Sequence, residues 1–272
     1  MSRFNGSAAK GCAILAAVMV GVPLLIVGVV GVKTWAPLQE AGEALDELDR
    51  SLGSAATYLP APSGEVPADR MELFLELRAT LVSACDDYGA VRKGFDSVAS
   101  LDSKDAGDLK DVGGVALGLG GASLSITPFL ARFFERRNQA LLGAKMGLQE
   151  YAYIYAVAYH DLLLSRQIRN EIFSDGRALS PEASHTLGGC LARQLEAMRK
   201  TGGENPRLGT LEVEQKKMED DPSRLVWQDG LPDAVHASIM PYRERLDRLF
   251  CGATAGLEME LDAKRALQVA LE

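Results

Sequence analysis

The residues of this chain best suited to chemistry cluster in one stretch, from Glu150 through Tyr151, Tyr153, Tyr155 and Tyr159 to His160 and Asp161. Tyr151, Tyr155 and Tyr159 recur every fourth residue, so on a helix they line one face, while Tyr153 and His160 share another. Phenols beside a histidine and carboxylates can hold a ligand or move protons. Glu150, Tyr151, Tyr155, Tyr159 and His160 are therefore the candidate ligand pocket. Against it, no second His or Cys stands at metal-ligand spacing nearby, and no Ser or Cys nucleophile has a recognisable context. The same pattern is how a core seats phenol rings with their hydroxyls bonded at its edge, and this reading outweighs the pocket. No catalytic residue, cofactor site or metal site is assigned, and the chain reads as a non-enzyme.

The helix that must position these tyrosines is expected to open at Thr127-Pro128, with Thr as cap and Pro at the first helical position, and to run to about Ile172. The clearest helix lies before it, at 68–100. There Phe74, Leu81, Tyr88 and Phe95 alternate with Leu77, Ala84, Val91 and Val98 at 3,4 spacing, a bundle seam. A shorter seam of Leu38, Ala41, Leu45, Leu48 and Leu52 reads as a stalk that packs on the domain or on its copy in a dimer. The Pro-rich stretch 53–67 reads as a linker or loop. Further helices are expected from Ser180-Pro181-Glu182 to Gly202, over Thr210–Asp221, and from Asp233 to Leu271 with Pro241 interrupting the last. Leu187, Cys190 or Leu191, Leu195 and Met198 face inward, and Trp227 plugs the bundle end.

Ahead of all this lies an uncharged apolar run, Gly11 to Val32. As a helix it reaches ~33 Å, enough to cross a hydrocarbon core of about 30 Å. Arg3 and Lys10 precede it and an acidic stretch from Glu40 follows, so the amino terminus is placed in the cytoplasm and the remainder outside. The run is longer than a signal-peptide core, and Pro37 opposes cleavage after Ala36, so it reads as a retained anchor. Ala13, Ala17 and Gly21 form a small-residue stripe that could pack against another membrane helix. A second uncharged stretch, 112–131, is rich in glycine. It is expected to be an apolar loop or loose helix tucked against the bundle, with a second membrane span as the alternative.

Composition sets the remaining bounds. A net charge of −8 gives nucleic-acid binding no electrostatic support. Aromatics at 6% and scarce strand-like alternation point to an all-helical class. Outside the apolar run, Cys85, Cys190 and Cys251 show no zinc-motif spacing, and Cys190–Cys251 is the pairing expected if a disulfide forms.

The sequence therefore predicts an all-α protein. A short cytoplasmic amino terminus (1–10) leads to a transmembrane helix (11–33), a stalk and linker (34–67), and an extracytoplasmic antiparallel helical bundle (68–272). Its expected role is non-enzymatic, through the bilayer and a protein partner or its own copy. The alternative is a small-molecule or lipid-binding sensor domain that uses the tyrosine-rich helix.

Overall fold

The structure is a computed structural model that describes residues 39, 42–48, 50–52, 58–105, 112–168, 179–201 and 206–260, with the backbone alone given for 91–105, 112–127, 168 and 206. The apolar run 11–33, with Ala13, Ala17 and Gly21, lies outside the described residues. Among the described residues there is no strand, and no helix is long and apolar enough to cross a membrane.

The all-helical class holds. Two long helices, α1 (Ala68–Asp105) and α2 (Val112–Ala144), pack along one another. The tyrosine-rich segment forms α3 (Leu148–Ala158), continued after a break by α4 (His160–Ile168). A second helical pair, α5 (Pro181–Thr201) and α6 (Pro206–Asp220), lies beside α3. The chain then passes through 221–232 to the short α7 (Asp233–Ile239), a 3-10 turn at Met240–Tyr242 and α8 (Arg243–Leu249), which lies on α1.

The seam of α1 is internal. Phe74, Leu77, Leu81, Ala84 and Tyr88 are buried in the shared core, and Val91, Phe95 and Val98 fall where side chains are not described. In the 38–52 seam, Leu48 is buried and Leu45 and Leu52 pack on that core. The described part of each seam is thus spent inside one chain and is not a surface for a second copy. Residues 58–66 are a packed cover and not a free linker. Arg193 donates to the Tyr58 carbonyl (3.0 Å), Tyr153 to that of Gly64 (2.8 Å), and the Val66 amide donates to the Ser238 hydroxyl (3.1 Å).

Three helix boundaries differ from the sequence expectation. Helix α2 begins at Val112 and runs through Pro128, so Thr127-Pro128 does not open it and the 112–131 stretch is helical. The expected helix to Ile172 breaks twice. Lys145 takes a left-handed φ of 48°, and a new helix starts after the extended Gly147; at Tyr159 the backbone leaves helical geometry again. The expected helix from Asp233 is interrupted at Leu249, where Phe250 turns extended (ψ 130°) and 250–260 form a chain of turns, while its last part, 261–271, lies outside the described residues. By contrast α5 starts as read: the Ser180 hydroxyl accepts from the Ala183 amide at 3.1 Å, a side-chain N-cap beside Pro181.

Candidate functional site

The expected pocket residues come together, but as core. Leu148 to Ala158 are buried all round except at Glu150, so α3 is the bundle's central helix and not an amphipathic wall. Tyr151, Tyr155 and Tyr159 form a column with ring centroids 6.0 and 4.9 Å apart, flanked by Phe74 and Phe250. Their rings are 0–1% exposed, so they do not line an open ligand pocket. Glu150 faces outward and pairs bidentately with Arg70 of α1, at 2.5 and 2.7 Å. His160 is buried and its Nε2–H donates to the Trp227 carbonyl at 2.8 Å, so Nε2 carries a proton, because a carbonyl can only accept. Its Nδ1 lies 3.5 Å from Asp161, which in turn accepts from Arg243 at 2.9 Å. These contacts hold α4 against the 221–232 loop and α8.

Beside the column sits a charged centre that sequence reading missed. Arg78 of α1 is 1% exposed; it donates to Glu258 at 2.7 Å, to the Tyr151 hydroxyl at 3.0 Å and to the Leu249 carbonyl at 3.1 Å. The Glu258 carboxylate is fully buried and also accepts from Tyr151 (2.6 Å) and Thr254 (2.6 Å). Arg137 of α2, equally buried, donates to the Glu258 carbonyl at 3.0 Å and lies over the Phe134 ring. Burial opposes the Arg78 charge, but the facing Glu258 carboxylate more than offsets this and holds its pKa well above the ordinary value. For Arg137 burial wins and the pKa is lowered. Burial drives the Tyr151 and Tyr155 phenols well above their usual range and Tyr159 up to about 12, so all three stay neutral and none is a base, and of the three hydroxyls it is that of Tyr151 that donates, to Glu258. The centre can bind and orient, and what it orients is the chain's own carboxy-terminal segment. The partners of Arg78 and Glu258 lie 180 positions apart, and no local motif marks such a pair.

The cysteines are also placed differently from expectation. Cys251 is bonded to Cys85 of α1, with Cα atoms 6.1 Å apart, while Cys190 is free and buried. Cys190 points into the bundle near Gln149 and Arg193, and burial pushes its thiol up to about 11. Helix α5 packs against α3, whereas Cys251 follows α8, which lies on α1, and this is why Cys190 and Cys251 do not pair.

One further region combines a cleft with unusual backbone. Trp227 adopts φ 60°, rare and strained for a bulky side chain. Both its backbone groups are pinned by buried side chains: Glu214 of α6 accepts from its N–H at 2.6 Å, and His160 donates to its carbonyl. Arg224 completes the clasp on Glu214 at 3.3 Å. Trp227 lines a cleft of about 300 Å³ together with Pro62, Gly64, Gln194, Leu211 and Pro232. A second cleft, about 430 Å³, lies between α5 and α6 along Ser184, Gly188, Ala192 and Met218. Neither is lined by the tyrosine column. Among the described residues no group of three or more His, Cys, Asp and Glu side chains could hold a metal ion.

No protein family, curated protein or solved structure matches the chain.

Proposed function

We propose that this protein is a membrane-anchored, extracytoplasmic helical bundle that acts by binding another protein and not by catalysis. The observation that carries this reading is the Cys85–Cys251 bond, which ties the carboxy-terminal segment to the first long helix. Structural disulfides persist where the surroundings are oxidising and are rare in a reducing cytosol. That agrees with the orientation read from Arg3 and Lys10 ahead of the apolar run and the acidic stretch behind it. The binding role is supported by how the fold uses its polar groups. Arg78–Glu258, Arg70–Glu150, Arg224–Glu214 and His160 with the Trp227 carbonyl each join separate elements, which suits a rigid presenting scaffold.

A reporter fused after Glu272 that works only outside the cytoplasm tests the compartment. Activity, together with a shift of Cys85 and Cys251 labelling on reduction, is the expected result. Silence from a stably expressed fusion overturns the reading. In-cell crosslinking from exposed sites on α5 and α6 tests the binding role, with a discrete adduct expected and a monomer band throughout counting against it.

A further inference from the structure

Residues 250–260 are held by the helical body as a bound peptide is held by its site. The stretch forms no regular helix, and the main-chain bonds within it are turn bonds, from Leu257 and Glu258 to the Thr254 carbonyl and from Glu260 to that of Leu257. Further carbonyls are met by side chains of the body. Arg78 of α1 donates to Leu249 at 3.1 Å, Arg166 of α4 to Gly252 at 3.4 Å, and Arg137 of α2 to Leu257 and Glu258 at 3.4 and 3.0 Å. Three separate helices thus each commit an arginine to one irregular stretch. A helix or strand satisfies its backbone within its own ladder, whereas a ligand peptide is met by the groups of its site. Charge matches as well: 250–260 carries Glu258 and Glu260 and no base, and Glu258 pairs with Arg78 at 2.7 Å. Arginine clusters facing carboxylates are a recurring way of recognising acidic segments. The stretch is fixed covalently through Cys251, bonded to Cys85. Cys251 is buried and Cys85 is half-buried on α1, so a small thiol reaches the bond from the Cys85 side.

We propose that Arg78, Arg137 and Arg166 form a binding site for an acidic peptide segment of a partner protein, that residues 250–260 are its resident occupant, and that the Cys85–Cys251 bond is the latch that keeps it closed. A dithiol opens the latch. One thiolate attacks the Cys85 sulfur, a mixed disulfide forms, and Cys251 leaves as a thiolate that takes up a proton. The second thiol then displaces Cys85 as a thiol, and the dithiol, which supplies both electrons, is left as a disulfide. The stretch stays joined to α8 but has lost its other anchor, so the effective concentration that excludes a competing peptide falls. The partner segment carries a carboxylate at the place of Glu258. This inference rests on the partner-binding role proposed above and assigns it a site and a switch.

The probe is a fluorescein-labelled peptide of residues 250–260 bearing Cys251→Ser, titrated by anisotropy into the full-length protein with and without dithiothreitol. Saturable binding is expected to the reduced protein, and without reductant to Cys85→Ala/Cys251→Ala. The oxidised protein should bind at least about tenfold more weakly. A Glu258→Gln peptide, which gives up the charge-assisted bond to Arg78, should also lose at least about tenfold. Helical circular dichroism should survive reduction. The site is overturned if reduction melts the helices, because the stretch is then core and not an occupant. It is equally overturned if the reduced, folded protein ignores the peptide, if the oxidised protein binds it as well, or if Glu258→Gln changes nothing. A discrete in-cell crosslinked adduct alongside any of these failures would sink the site and leave the partner-binding role standing.

Discussion

At the scale of single residues, the costliest decision in this fold is to bury Arg78 and Glu258. Two charges withdrawn from water gain from one another only when geometry and extra hydrogen bonds fill the shell, and here Tyr151, Thr254 and the Leu249 carbonyl supply them, with only Nε of the Arg78 guanidinium left without an acceptor among the described residues. Removing one partner strands the other. Arg78→Met or Glu258→Leu alone is expected to lower unfolding stability by about 3–5 kcal/mol, whereas the double variant should lose less than the sum, read from urea unfolding. Cys190 behaves oppositely. With its thiol buried and pushed up to about 11, it should resist iodoacetamide at pH 8 in the folded protein. It should react once the chain is unfolded without reductant, while Cys85 and Cys251 react only after reduction. The tyrosine spacing was legible in the sequence, because four-residue recurrence is a local property of a helix. The seating of the rings in the core was legible too, but the charged centre beside them was not, since its guanidinium and carboxylate arrive from Arg78 and Glu258 at distant positions.

At the scale of elements, residues 250–260 form no regular helix and yet are heavily tethered. Cys251 is bonded to α1, Glu258 is paired with Arg78, and Arg166 covers Gly252 so closely that a Cβ there would fall inside its guanidinium. The disulfide closes a loop spanning 166 positions, for which chain entropy gives an upper figure of about 5 kcal/mol. The Cys85→Ala/Cys251→Ala variant is expected to lose stability toward that limit, and limited proteolysis should find its first new cut within 250–260. Gly64 makes a similar local demand. Its φ is 74°, and a Cβ would stand 3.0 Å from Val235 Cγ2 and 3.2 Å from the Tyr153 hydroxyl. Gly64→Ala should therefore destabilise by ~1 kcal/mol or more in thermal unfolding. Helices with an apolar stripe, such as α1 and α5, were readable because burial follows their periodicity. The run through Pro128 was not. Proline at a first helical position is the common local reading, and only packing of α2 along α1 keeps helix on both sides of it. The turns after Leu249 were missed for the same reason: the apolar residues 251–260 are buried by tethering and not by helical phase.

At the scale of the whole molecule, charge links the fold to its surroundings. The chain carries a net charge of −8, and several of its carboxylates are tuned by the fold. A hydrogen bond from Arg243 holds the Asp161 carboxyl below its usual range, aided by His160. Hydrogen bonds from Ser223 do the same for Asp221, and those from Lys217 and Arg224 for Asp229. A carboxylate whose folded pKa is depressed contributes stability that is present above its unfolded value, about 3.9 for aspartate, and that disappears as pH falls through the folded value. These three therefore predict a flat stability profile through the neutral range, with loss setting in below about pH 4. All three sit at joints between packed elements, Asp161 between α4 and α8 and the others in the 221–232 loop that presents Trp227. Acid should accordingly loosen that loop before the tyrosine core, so Trp227 emission in the Trp35→Phe protein is expected to red-shift at a higher pH than helical circular dichroism is lost. Asp161→Asn should flatten part of the acid limb without changing stability between pH 6 and 8 in relation to its own pH 5 value. If fluorescence and helicity titrate together, the loop and core are one cooperative unit and these aspartates do not set the order in which they open.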